Sequence, residues 1–199
     1  MDWRGRYEAA AARYAAGEER EHDERQLVQL GNAAWAAGLS LLMAGDRAAA
    51  SEWLVRSAAR YRESWDAGGA PDAWGRPIAA IKALLLVGED ADDAASWALD
   101  AGAAAAESPI GRYAATLALL ALGRDEEAAE VAETLSGDFP ADVAAALVGL
   151  GRGDAVAYAE AAQSVRRSFE ERDAFLEDVP VPDTYLVLKT LAQRRKIPT

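Results

Sequence analysis

The sequence predicts an all-α protein of stacked antiparallel helical hairpins, about nine helices in 199 residues. Three observations carry that expectation. Alanine, the best helix former, supplies much of an apolar fraction of 51%. Val, Ile and Thr are scarce and never alternate with polar residues over four or more positions, so no sheet is expected. Glycines and prolines recur along the chain as helix stops, often with an acidic residue close behind that suits a helix start. The length is one domain's worth, read as a single all-helical domain over 1–199. Residues 1–24 form an N-terminal helix and charged segment, 25–177 four hairpin repeats, and 178–199 a Pro-rich break and C-terminal helix. Because alanine contributes little area, the core must lean on Leu, Val, Ile and the six tryptophans.

The elements follow from their stops. A first helix over 2–16 ends near Gly17, and the charged run Glu18 to Arg25 either extends it or links it to a second helix over 25–44. Gly45 closes that helix and Asp46 caps the next. Over 47–65, Ala50, Leu54, Ala58, Tyr61 and Trp65 recur three or four apart as one buried stripe. Glu52, Arg56 and Arg60 read as the wet face opposite. Gly68-Gly69-Ala70-Pro71-Asp72 is a loop, and Pro77 suits a first helical turn. Ile78, Ile81, Leu84, Leu85 and Val87 make the next helix apolar around most of its girth, hence central.

Gly88 ends it, and Asp90 to Asp93 place acids where the following helix dipole favours them. That helix runs over 91–106 to a break at Ser108-Pro109, which caps and starts another, lined by Ile110, Tyr113, Leu117 and Leu120. Gly123 and Asp125 delimit 126–136. Gly137 and Pro140 precede a short apolar helix over 141–150. Gly151-Arg152-Gly153-Asp154 turns into a long amphipathic helix over 155–176, striped by Tyr158, Ala162, Val165, Phe169 and Leu176. Pro180 and Pro182 make a stiff break. Asp183 caps a last helix, 184–196, whose Arg194-Arg195-Lys196 suits the negative end of the dipole and reads as a frayed, solvated terminus.

The glycine turns superpose as an internal repeat. Leu41-Leu42-Met43-Ala44-Gly45-Asp46 matches Leu85-Leu86-Val87-Gly88-Glu89-Asp90, Leu119 to Asp125, and Leu147 to Asp154. Each is an apolar helix, a glycine stop, an acidic cap and an Ala-rich helix, at irregular spacing. On these residues the chain resembles the tetratricopeptide-repeat family. Gly38, Leu41, Gly45 and Ala50 stand at that family's small, large, glycine and alanine positions in the first unit. Thr116, Leu119, Gly123, Ala128 and Pro140 do so in the third. The second and fourth units fit only with one residue inserted in the turn, and the family's aromatic positions are mostly not aromatic. The resemblance spans residues 30–177 and implies a groove that binds a protein or peptide.

Composition excludes much else. The net charge is −12, and a chain this acidic repels phosphates, so no nucleic-acid partner is expected. Only Lys82, Lys189 and Lys196 are lysines, a balance that fits either a GC-rich genome or life in high salt. With no cysteine there is no disulfide, thiolate nucleophile or zinc-thiolate site. Met1-Asp2-Trp3-Arg4 does not begin a signal peptide, and no long charge-free apolar run suits a membrane span. A cytoplasmic protein without a membrane partner is the default.

No motif carries catalytic chemistry. His22 is the single histidine and lacks the paired spacing of zinc or iron sites. Glu89-Asp90-Ala91-Asp92-Asp93 lacks the alternation and mid-loop glycine of a calcium loop. Gly149-Leu150-Gly151-Arg152-Gly153 follows a helix, not the strand that precedes nucleotide loops. No catalytic residue, metal or cofactor is expected. One cluster remains. Tyr61 and Trp65 close a helix, Trp74 and Arg76 open the next across a short loop, and Arg112 and Tyr113 open another two helices on. These six form either a recess for an anion or peptide, or core aromatics with arginines stacked on them or paired to Glu63 and Asp72. The leading expectation is a non-enzymatic interaction protein that binds a protein or peptide, or itself as a homodimer. The alternative is a regulatory domain holding a small anion between Arg76 and Arg112. An enzyme of another type, using Asp, Glu, Arg and Tyr, comes third.

Overall fold

Ten α-helices make up the computed structural model, which describes residues 1–199 except for the side chain of Leu176. They are α1 (Trp3–Glu18), α2 (Glu24–Met43), α3 (Arg47–Asp66), α4 (Gly75–Val87), α5 (Asp92–Asp100), α6 (Pro109–Ala121), α7 (Asp125–Ala132), α8 (Ala141–Arg152), α9 (Ala155–Glu170) and α10 (Asp183–Arg194). Short 3₁₀ turns lie at Ala103–Ala105 and Leu176–Asp178, and no strand is present among the described residues. The count is ten and not about nine. Among the described residues no helix is long and apolar enough to cross a membrane. The helices gather into two units. The first comprises Met1–Glu89 with Asp173–Val181, and the second comprises Asp90–Arg172 with Pro182–Thr199.

In the first unit α1 packs on α2, α2 on α3 and α3 on α4. The Asp23 and Asp46 carboxylates accept from the backbone N–H groups of Gln26 and Ala49, at 2.7 and 3.2 Å, which starts α2 and α3. The two helices then cross closely. A methyl group on Gly38 would lie 2.5 Å from Leu54 Cγ, and one on Gly31 would lie 2.9 Å from the Tyr61 ring. The Ser57 hydroxyl donates to the Gly31 carbonyl at 2.9 Å, so this buried polar group is satisfied. α4 is buried around most of its girth, as its sequence predicts.

α1 ends at Glu18, near Gly17 as expected, and Gly17 itself sits in the last turn, where a methyl group would meet Leu30 and Gln26 of α2 at 2.8 Å. Glu52 and Arg56 on the outer face of α3 are exposed as expected, whereas Arg60 is partly buried where that face meets α1. Trp53 meets Tyr14 edge-on at 5.3 Å, and the Arg56 guanidinium sits over the Trp53 ring at 4.6 Å. Arg60 donates to the Tyr14 hydroxyl at 3.0 Å and pairs with Glu18 at 2.8 Å. Arginines spaced as a solvated stripe also carry their charge across aromatic rings. The segment Asp173–Val181 adds to this unit through Glu177, which pairs with Arg13 at 3.0 Å, and through the Asp178 carbonyl, which accepts from Arg6.

In the second unit α5 to α9 each pack on the next, and α10 packs on α8 and α9. Ser108 caps α6 at the Gly111 N–H (3.2 Å), with Pro109 in the first turn as expected. α5 ends at Asp100, short of the expected 106, because Gly102 turns left-handed at φ 90°. α7 ends at Ala132 and not at 136. α9 ends at Glu170 and not at 176, since Asp173 onward belongs to the first unit and Glu177 and Asp178 adopt φ 55° and 56°. Gly149 and Gly151 are not turn residues. Both lie inside α8, where added methyl groups would come within 2.8 Å of the Tyr158 backbone and 2.7 Å of the Asp125 carbonyl.

The C-terminal arginines also depart from expectation. Arg195 is not frayed: its side chain is only 12% exposed. It pairs with Asp125, through Nε at 3.0 Å, and donates to the Leu120 and Leu191 carbonyls at 2.6 and 3.0 Å. Leu120 lies in the last turn of α6, and its carbonyl accepts from the Gly123 N–H at 3.3 Å as well as from Arg195. Asp125 therefore anchors Arg195 and does not cap α7, whose N-cap is Arg124.

Two outcomes test this packing. G38A and G149A should each lower stability by about 1–3 kcal/mol through overpacking, while G75A, with open space around it, should leave the melting temperature nearly unchanged. Arg195→Lys should cost about 1–2 kcal/mol in urea melts, since a lysine cannot reproduce the forked contact to Asp125 and Leu120.

Candidate functional site

The six residues of the sequence cluster divide between the units. Tyr61, Trp65, Trp74 and Arg76 lie in the first, Arg112 and Tyr113 in the second. In the first unit Trp65 and Trp74 come together across the Gly68-Gly69 loop with ring centroids 6.0 Å apart. Gly68 takes φ 104°, and a methyl group on Gly69 would collide with the Arg76 guanidinium at 1.5 Å. The loop glycines are thus the local condition for folding Arg76 back over the end of α3. There Arg76 donates to the Ser64 carbonyl at 3.3 Å and pairs with Glu24 of α2. Asp72 is not its partner. Burial pulls the guanidinium below its usual pKa.

This arrangement is occupied by the protein's own groups. An anion arriving at Arg76 would have to displace Glu24. Trp74 is buried, and Tyr61 points into the α2 crossing, where its hydroxyl donates to Asn32 Oδ1 at 2.7 Å. Burial, with a smaller contribution from Glu177, pushes the Tyr61 phenol far above its usual range. Tyr61 is therefore a core residue of the α2–α3 contact.

In the second unit Tyr113 does line an opening. Its ring meets Phe139 at 5.2 Å and 49°, and the two join Pro109, Ile110, Pro140 and Val143 around a cleft of about 630 Å³. The start of α6 supplies Pro109, Ile110 and Tyr113, the loop after α7 supplies Phe139, and α8 supplies Val143. Ile110 is 45% exposed, unusual for a large aliphatic side chain beside an aromatic pair. Asp138 and Arg172 also line the cleft, and neither side chain has a partner among the described residues. Arg112, next to Tyr113, does not line the cleft, and its Nε is buried without a hydrogen bond. Ile110 reads in the sequence as a core position, and Phe139 gives no periodic signal. The cue for Phe139 is an aromatic held between Gly137 and Pro140, in a loop where nothing local buries it.

Elsewhere the acidic and histidine motifs have local partners. His22 Nε2 lies 3.8 Å from Glu18, one helical turn back. Glu89 accepts from the Ser51 hydroxyl at 2.8 Å, and the Asp90 carboxylate accepts from the Asp92 N–H at 2.8 Å. Among the described residues no three His, Asp or Glu side chains gather as a metal cluster.

The buried phenols predict a pH response. Besides Tyr61, Tyr158 on α9 is pushed up to about 12, by burial first and then by neighbouring Tyr185. An unfolded tyrosine releases its proton near pH 10, so the folded state retains protons that the unfolded state loses. Stability should be independent of these groups below about pH 10 and should fall as pH rises toward 12. Absorbance titration at 295 nm should show Tyr61 and Tyr158 ionising only with alkaline unfolding; reversible ionisation of all six tyrosines near pH 10 would contradict this burial.

No family model matches the chain, and neither a curated protein nor a solved structure matches it.

Proposed function

We propose that this protein is a non-enzymatic helical-repeat module of tetratricopeptide-like build that binds an apolar segment of a partner protein. The cleft at Ile110, Tyr113 and Phe139 carries the proposal. It offers an apolar floor with an exposed anchor at its mouth, and it places one unpaired carboxylate and one unpaired guanidinium at its edge. That is the pattern of a peptide-recognition pocket: apolar anchoring in the centre, polar groups at the rim for orientation. Its volume of about 630 Å³ accommodates one or two large side chains of an incoming segment. Support for the repeat build comes from Gly38, which meets Leu54 across the α2–α3 hairpin as a small residue at a close crossing should.

Panning a random peptide display library on the full chain tests the reading. Selected peptides should share an aromatic or large aliphatic anchor, and I110D should weaken them at least about tenfold, as loss of a central apolar contact does. Because Ile110 is 45% exposed, the same substitution should change stability by no more than about 0.5 kcal/mol. A library that yields no ligand sensitive to I110D would overturn the proposal. Sedimentation showing a dimer that I110D dissociates would make the bound segment part of a second copy.

A further inference from the structure

The strap Asp173–Val181, which the first unit takes in from far along the chain, is docked and strained at once. Two arginines on one face of α1, two turns apart, hold it. Arg13 pairs with Glu177 at 3.0 Å, and Arg6 donates to the Asp178 carbonyl. Val179 and Val181 are 6% and 2% exposed, so the strap also brings its own apolar anchors. The Asp178 and Val181 N–H groups turn back to the Phe175 and Val179 carbonyls, at 3.1 and 2.8 Å, and make no bond to α1 or α2. Against this hold, Glu177 and Asp178 both take left-handed backbone, at φ 55° and 56°. That region is costly for residues other than glycine, and two such residues in succession are uncommon. Strain of this kind persists only where the surroundings impose it, and it gathers at ligand clamps and switches.

Glu177 lines an opening of about 310 Å³ together with Arg13, Arg20, Gln26 and Leu30. Arg20, seven residues beyond Arg13, makes no ion pair among the described residues, so the strap leaves one guanidinium of the opening unused. We propose that this face of α1 and α2 is a docking site for an extended acidic and aliphatic segment of a partner protein. The strap is its internal occupant, displaced when the partner binds. The strap itself shows the chemistry that the site accepts: a carboxylate for Arg13, a carbonyl for Arg6 and two aliphatic anchors at Val179 and Val181. A small anion would leave the surface under those valines open to water, so it does not substitute for a segment. A tethered occupant competes at an effective concentration on the order of millimolar, which excludes weak rivals. Strain at Glu177 and Asp178 reduces that advantage, and a segment free of it, or one that also offers a carboxylate to Arg20, gains over the strap. This site is separate from the Ile110 cleft and does not depend on it.

Fluorescence anisotropy of a labelled synthetic peptide of residues 171–182, titrated with the full chain, tests the proposal. The wild-type chain should bind the peptide weakly. E177K sets the strap's own charge against Arg13 and should bind the peptide roughly fivefold more tightly. In R13E/E177K the exchanged charges close the strap again and repel the peptide, which should not bind. Hydrogen exchange gives a second reading without the peptide. The Val179 amide should exchange roughly fivefold faster in E177K, and roughly fivefold slower in D178G, which relieves strain and keeps the carbonyl for Arg6. A melting curve checks that each variant folds. Three results would overturn the proposal: folded E177K binding no better than wild type, R13E/E177K binding as tightly as E177K, or D178G exchanging faster than wild type. Sedimentation showing a wild-type dimer that the peptide dissociates would overturn the external partner and give the site to the strap of a second copy.

Discussion

At several helix crossings in this protein, a glycine faces an atom that leaves no room for a methyl group. Gly38 meets Leu54, Gly31 meets the Tyr61 ring, and Gly149 meets the backbone of Tyr158. An alanine-rich chain has little side-chain area to bury, so its helices must gain cohesion by approaching closely and making many short-range contacts. Larger residues then sit beside the crossings: Leu54, Tyr61 and Tyr158 are all buried next to a glycine.

Much of the architecture was legible because helix punctuation is local. Gly45, Gly88, Gly123 and Gly153 take left-handed φ values at or just past helix ends, and Asp46, Ser108 and Asp154 accept from first-turn N–H groups as their positions suggest. The errors fall where a residue answers to something distant. Gly151 looks like a stop but lies inside α8 and lets α7 approach. Arg60 has the spacing of a solvated face and yet binds the Tyr14 hydroxyl of α1, 46 positions away. Arg195 looks like a loose end and is held by Asp125, seventy positions away. Periodicity reports which residues share a face; it carries no information about which helix arrives to cover that face.

The same distinction governs the candidate site. Aromatics and arginines near helix ends were the right residue types to single out, yet Trp74, Tyr61 and Arg76 use their chemistry internally, against Trp65, Asn32 and Glu24. Only Tyr113 of the six lines a cleft, in company with Ile110 and Phe139.

The first unit is discontinuous in sequence, since it takes in Asp173–Val181 after an excursion of more than eighty residues. On the ribosome, α1 to α4 emerge long before that segment, so Arg6 and Arg13 wait for Asp178 and Glu177 until α5 to α9 have been made. Vectorial synthesis therefore presents the first unit as a nearly finished body that lacks one edge, open to chaperones and proteases for the time it takes to translate the second. A ribosome that stalls before residue 173 releases a first unit that has no means of completing itself.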